Sequence, residues 1–335
     1  MKVLKIIGII LLVLVALIAI LGVIAPKDYS VERSVIINAP AQLVFNHAKY
    51  WRNWQAWSPW AEMDSTMKAT VEGIDGAAGS IYKWSGEKVG TGEMTNTGIK
   101  EKEEIAYHLR FLKPWESESD GYVRLADVEG NTEASWGFYG KNPFPWNVMT
   151  LFMSMDKMMG KDFNRGLSLL KDISEKEYAS IQSYSVKEIN FPARTYAAIQ
   201  KVVAFDQMQG FFAESYATIM AEMGKKGIKM AGAPCALYYE WDEQNNTTNV
   251  AAAIPIKNAA KLGDLNIIQL PATTAFMVDY FGSYQKSAPA HYACDLYLSN
   301  KGLKQKSPII EEYITDPTTE PDSSKWLTKI YYFGE

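Results

Sequence analysis

The chain has 335 residues, 47% hydrophobic and 21% charged, which supplies packed cores and excludes wholesale disorder. A formal net charge of −4 argues against a nucleic-acid binder that works by neutralising phosphates. Only Cys235 and Cys294 occur, in no CxxC spacing, and His47, His108 and His291 are scattered, so neither a disulfide framework nor a metal or other cofactor is expected.

Residues 6–24 form an uncharged run rich in Leu, Ile and Val, preceded by Lys2 and Lys5 and followed by the mixed flank Lys27-Asp28. At 1.5 Å per residue the run nearly spans a hydrocarbon layer of about 30 Å. The positive-inside rule puts the N-terminus in the cytoplasm and everything after residue 26 outside, at the inner membrane. A cleaved signal peptide is the competing reading. Its apolar region would be overlong, and Pro26 follows the best small-residue site.

Residues 28–177 read as one domain. A strand over 29–37 precedes Asn38-Ala39-Pro40, which suits a helix start with Asn38 as cap. Trp51, Trp54, Trp57 and Trp60 recur every three residues, so several share one helical face up to Pro59. They either fill a core or line an apolar cavity, with Trp57 and Trp84 the candidates to touch a ligand. Six strands separated by polar turns follow, over 68–73, 80–85, 90–100, 104–111, 117–125 and 132–139. A stiff loop at Pro143, Pro145 and Trp146 then leads into one long helix over 147–177. The early part of that helix carries Met149, Met153, Met155, Met158 and Met159, which suit core filling or an adaptable ligand wall.

This order, with the stretches VERSVIINAP (31–40), WQAWSPW (54–60) and GSIYKWSG (79–86), resembles the START-like helix-grip superfamily, also called SRPBCC or polyketide cyclase-like. The resemblance implies a curved sheet wrapped around the long helix with an apolar cavity between. It implies no reaction and transfers no catalytic residue.

Residues 184–335 form a second domain built from a repeat. INFPART (189–195) and IQLPATT (268–274) open the two copies, KGIK (226–229) and KGLK (301–304) close their helices, and each copy continues through a proline, Pro234 or Pro308, into a strand with Tyr239 or Tyr313. The helices are expected over 207–223, capped by Asp206, and over 288–301. A hairpin turn is expected at 242–248.

The stretch SPIIEEYITDP (307–317) is a strand in which Ile309, Glu311 and Tyr313 share one face and Ile310, Glu312 and Ile314 the other. On pattern alone, this is either an edge strand with both glutamates solvated or the acidic floor of a pocket. The motifs GAP (232–234), YYEWD (238–242), EEY (311–313) and WLTKIY (326–331) resemble the GyrI-like effector-binding domain, also found at the C-terminus of AraC-type regulators. That resemblance implies a cleft for cationic, flat apolar ligands in which a Glu-x-Tyr pair, here Glu311 and Tyr313, faces the ligand while Glu312 stays exposed. Tyr238, Tyr239 and Trp326 are the nearest aromatic candidates. The regulators' DNA-binding helices have no counterpart before this domain.

The fold class expected is therefore α+β: a helix-grip domain (28–177) and a duplicated β-α-β-β domain (184–335), preceded by one membrane helix (1–27). The first functional reading is a membrane-anchored, envelope-facing binder of small apolar or cationic ligands. The second is a hydrolase of reactive electrophiles, with Glu311, its pKa raised by burial, assisting water and Tyr313 as proton donor. The third is an envelope assembly factor with a protein partner.

Overall fold

A computed structural model of the chain describes residues 2–243, 245–257 and 262–335. Gln244, within the expected hairpin turn, and the Lys2 side chain lie outside the described residues. The chain is mixed α+β and divides into two compact units, Met1–Tyr178 and Ala179–Glu335.

The first unit opens with α1 (Lys2–Ile24), almost wholly exposed apart from its last turn. Its strands are β1 (Asp28–Ile37), β2 (Lys68–Glu72), β3 (Ile81–Gly86), β4 (Gly90–Lys100), β5 (Glu104–Lys113), β6 (Ser117–Val128) and β7 (Asn131–Lys141), in one antiparallel sheet ordered β1-β7-β6-β5-β4-β3-β2. Burial alternates along β4 to β7, as expected where one face meets a core and the other water. Three short helices, α2 (Ala41–Lys49), α3 (Trp51–Trp54) and α4 (Pro59–Met63), follow β1, and α5 (Met155–Gln182) closes the unit.

Three local expectations are corrected. Pro40, not Asn38, precedes the first helical residue, and the Asn38 amide instead donates to Glu175 of α5. The helix expected up to Pro59 covers only Trp51–Trp54; Trp57 lies in the turn that follows, and Pro59 starts α4. The expected long helix is broken: Trp146–Leu151 is a 3-10 turn, and α5 begins only at Met155.

Rings fill the space between sheet and helix. Trp51, Trp54, Trp57 and Trp136 are each at most 1% exposed, and Trp136 stacks on Phe163 of α5 at 4.3 Å. Each indole N–H has an acceptor: Ser80 for Trp51, Ala48 carbonyl for Trp54, His47 carbonyl for Trp57 and the Tyr107 hydroxyl for Trp136. Satisfying that donor is the condition for burying tryptophan cheaply.

The second unit holds β8 (Lys187–Phe191), β9 (Arg194–Ala204), α6 (Met208–Lys225), β10 (Cys235–Asp242) and β11 (Thr247–Ile256), then β12 (Asn266–Leu270), β13 (Thr273–Phe281), α7 (Ala288–Asn300), β14 (Gln305–Tyr313) and β15 (Leu327–Gly334). A 3-10 turn over Phe205–Gln207 takes the place of the cap expected at Asp206. The repeat is visible in the sheet order β12-β9-β11-β10-β14-β15-β13-β8. Each copy gives its opening strand to the other: β8 pairs with β13, and β12 pairs with β9. The copies join along β10 and β14.

The KGIK and KGLK stretches end the two helices alike. Gly227 and Gly302 have φ of +64° and +68°, a conformation glycine adopts without the strain a Cβ brings. The next amides, of Ile228 and Leu303, bond back to the carbonyls of Met223 and Leu298. Each of those pairs also shares one hydrophobic cluster, which completes the Schellman arrangement.

Both helices cover one face of the sheet. Ile219 and Met223 of α6 pack on Ala197, Ala252 and Ile254; Ala290, Cys294 and Leu298 of α7 pack on Phe276, Val278 and Tyr332. The other face buries Phe191, Tyr196, Leu237, Ile310 and Phe333 among themselves.

Candidate functional site

At the junction of the two copies Glu311 of β14 lies opposite Ala236 of β10 and Ile330 of β15. Its face of the strand is the one the helices cover, since Ile309 packs with Leu298 of α7 while Ile310 joins the opposite cluster. Alanine opposite the carboxylate leaves the space over it to side chains from other elements.

Glu311 is 7% exposed, and three donors reach it. His291 of α7 meets Oε1 through Nε2 at 2.7 Å, and Oε2 accepts from the hydroxyls of Tyr313 at 2.7 Å and Tyr238 at 3.3 Å. The Nδ1 of His291 lies 3.1 Å from the hydroxyl of Tyr332. With an ionised carboxylate at Nε2, that nitrogen carries the hydrogen, and a neutral ring then accepts from Tyr332.

Burial alone would raise the Glu311 carboxyl, but the hydrogen bond and charge of His291, with the bonds from Tyr313 and Tyr238, outweigh it and hold the group below the ordinary glutamate value. Burial, followed by the charge of Glu311, pushes the hydroxyls of Tyr238 and Tyr313 well above theirs, so both are neutral donors. The expectation of a raised Glu311, made from burial without its partners, is therefore corrected.

Aromatic rings extend the site. Tyr284 packs edge-on against Tyr313 at 5.0 Å and, tilted, against Trp326 at 5.3 Å. Tyr238 and Tyr313 also pack among Met208, Phe211 and Phe212 at the start of α6. Glu311, Tyr313, Tyr238 and, through Tyr284, Trp326 thus come together. Tyr239 does not: it packs on the opposite face, with the cluster of Leu237 and Ile310.

Glu312 is not the exposed neighbour expected. It is 6% exposed on the other face, where Oε1 takes Nη1 of Arg194 at 3.1 Å and Oε2 accepts from Tyr331 at 2.7 Å. Sequence reasoning also missed His291, Tyr284 and Tyr332. His291 had a weak signal, lying three residues before Cys294 at the flank of the buried stripe of α7.

In the first unit Trp57 is fully buried and Trp84, 8% exposed, donates to the Val89 carbonyl. Both pack against neighbouring rings, Trp57 against Trp54 and Trp136 and Trp84 against Phe111. An open depression of about 610 Å³ lies elsewhere on this unit, lined by Tyr29 and Tyr139 together with Asp28, His108, Asp120 and Lys141. The methionines Met149, Met153 and Met158 are exposed and form no ligand wall. Both cysteines are free and buried. Among the described residues, one helix is long and apolar enough to cross a membrane, Leu4–Ile24.

Residues 184–332 match the GyrI-like small molecule binding domain, and residues 28–175 match the family described as polyketide cyclase / dehydrase and lipid transport. No curated protein matches the chain. Similar solved structures include the EcmrR C-terminal domain (17% identity, 45% of this chain and 98% of that one, TM-score 0.42). Protein CV1439 from Chromobacterium violaceum (14%, 44% and 96%, TM-score 0.34) and the Aha1 dimer from Colwellia psychrerythraea (15%, 44% and 96%, TM-score 0.32) are two more.

Proposed function

From a chain that joins a polyketide cyclase-like domain to a GyrI-like small-molecule binding domain, we propose a membrane-anchored receptor for flat cationic small molecules, with Glu311 as the charge that selects them. One observation carries this reading. Glu311 is buried and held ionised, yet among the described residues its hydrogen-bond partners are a histidine and two tyrosines, with no lysine or arginine. None of these partners carries a permanent positive charge, and the carboxylate sits in a low-dielectric surround. There a cation is attracted far more strongly than in water, and the rings of Tyr313, Tyr284 and Trp326 add cation–π attraction of about 0.5–2 kcal/mol. Isothermal titration of the full chain in detergent with a panel of aromatic cations and neutral isosteres tests it. Saturable binding that prefers the cations supports the reading; equal affinity for both series defeats it.

The alternative is hydrolysis of electrophiles at the same carboxylate, favoured by the contact between Glu311 and His291. A general base working near neutral pH needs a raised carboxyl, and Glu311 is lowered, so binding is the better reading. Turnover of an electrophilic substrate, abolished in Glu311→Gln, would reverse that order.

For location, α1 is read as a retained anchor, with Lys2 and Lys5 on the cytoplasmic side and both units beyond the inner membrane. Protease added to spheroplasts should digest the chain past residue 26, and full protection would reverse the orientation.

A further inference from the structure

Between β7 and α5 the chain runs from Asn142 to Met155 without a charge, and its large apolar side chains face outward. Trp146 is 65% exposed and Phe152 78%, with Phe144, Met149, Met153 and Met158 also exposed. Scattered exposed hydrophobic residues are ordinary; a continuous group of this size on one segment marks a surface that something covers.

The segment is fastened to the last turn of α1. Asn147 is fully buried, and its Nδ2 donates to the carbonyls of Gly22 at 2.7 Å and Ala25 at 3.2 Å, which have no partner further along the helix. The Asn142 amide donates to the Lys27 carbonyl at 2.7 Å, while the Thr150 hydroxyl donates to the Asn147 carbonyl at 2.7 Å and lies 3.3 Å from that of Pro26. The Phe144 ring lies so close to Gly22 that a Cβ there would meet it at 2.5 Å, so glycine permits the approach.

We infer that residues 143–158 form a second membrane contact, a monotopic face lying in the headgroup layer of the leaflet from which α1 emerges. The inference rests on the reading of α1 as a membrane-spanning anchor. If α1 crosses, its 21-residue span Leu4–Ile24, about 31 Å long, is used up by the hydrocarbon layer, and its last turn sits at the interface. A segment bonded to that turn cannot be elsewhere, and its apolar surface runs on continuously from that of the helix. Tryptophan and phenylalanine beside uncharged polar groups are the composition this layer favours; exposed Lys141 and Lys161 flank the segment in sequence, Lys157 lies in its last turn and Lys27 follows α1, all partners for lipid phosphates. The occupant is thus a lipid surface, and the contact fixes how the first unit stands on it.

The test is depth-dependent fluorescence quenching of the full chain in phosphatidylcholine nanodiscs, with one label introduced at a time. Phe152→Cys and Met149→Cys report on the face and Leu14→Cys on the anchor. Val128→Cys serves as the distant control, because it lies at the end of the β6–β7 hairpin away from Lys141, roughly 30 Å along the strands. Expected is strong quenching at 152 and 149 by a quencher near the headgroup, quenching at 14 by one at mid-chain depth, and none at 128. Positions 152 and 149 behaving like 128 while 14 is quenched would overturn this inference and leave the anchor standing. No quenching at 14 would overturn both.

Discussion

Glu311 and Glu312 are consecutive on one strand and almost equally buried, yet their surroundings are opposite. Glu312 faces Arg194, a fixed cation of its own chain, and its charge is spent inside the fold. Glu311 faces hydroxyls and an imidazole, groups that hold a carboxylate ionised without a permanent opposite charge. Burial therefore does not tell a structural carboxylate from a receptive one; the partner does. Alternation along the strand assigned each to its face, and residues far away in sequence assigned the role.

The largest effect expected from breaking this contrast is at the structural pair. Arg194→Met leaves Glu312 buried without its cation and should cost about 3–5 kcal/mol in urea unfolding. Glu312→Gln added to it should recover much of that loss.

Next is the receptive carboxylate. Glu311→Gln should lower affinity for aromatic cations about 30- to 1000-fold, or 2–4 kcal/mol, with little loss of stability. Glu312→Gln should leave that affinity within about threefold. Equal losses from the two substitutions would place the cleft on the wrong face.

Smaller is the effect of pH. The folded Glu311 carboxyl lies below its unfolded value of about 4.3, so the stability it adds is present above that value and is lost as pH falls through the lower folded one. Binding of a permanent cation should likewise persist as pH falls past the ordinary glutamate value. His291→Gln removes the partner that lowers the group most and should move the midpoint of that loss up, read by titration calorimetry across pH. The smallest effect is expected at Tyr239→Phe, on the far face, where affinity should change by less than about 0.5 kcal/mol. A loss comparable to that at Glu311 would mean the sheet does not separate the two.

The fold class and the duplication were legible because both are local signals: alternating strands, paired helix ends at Gly227 and Gly302, and the recurring NFPA and QLPA turns. The two faces of residues 309–313 followed from the period of a strand. What could not be read was partnership across long separations. Nothing near Glu312 announces Arg194, and nothing near Glu311 announces His291, because each lies on another element. The break before α5 was hidden for a similar reason. Residues 147–153 carry no helix breaker, and their 3-10 turn is held by Asn147 reaching back to Gly22 and Ala25. The tryptophan spacing of three suits a helix, yet only Trp51 and Trp54 share one; Pro59 bounds that helix as expected, and the rings fill a core, one of the two readings left open.

The reciprocal strand exchange of the second unit bears on how that unit comes into being. β8 finds no partner in its own copy and must wait for β13, where Phe191 meets Thr273. The loop to be closed is most of the unit, and its entropic cost falls before the reward of pairing. A ribosome that stalled between the copies would release a chain with an unsatisfied edge at β9 and a stray strand at β8, a form exposed to aggregation and proteolysis. Assembly of the second unit thus calls for both copies, and the proposed cleft around Glu311 takes its side chains from each of them.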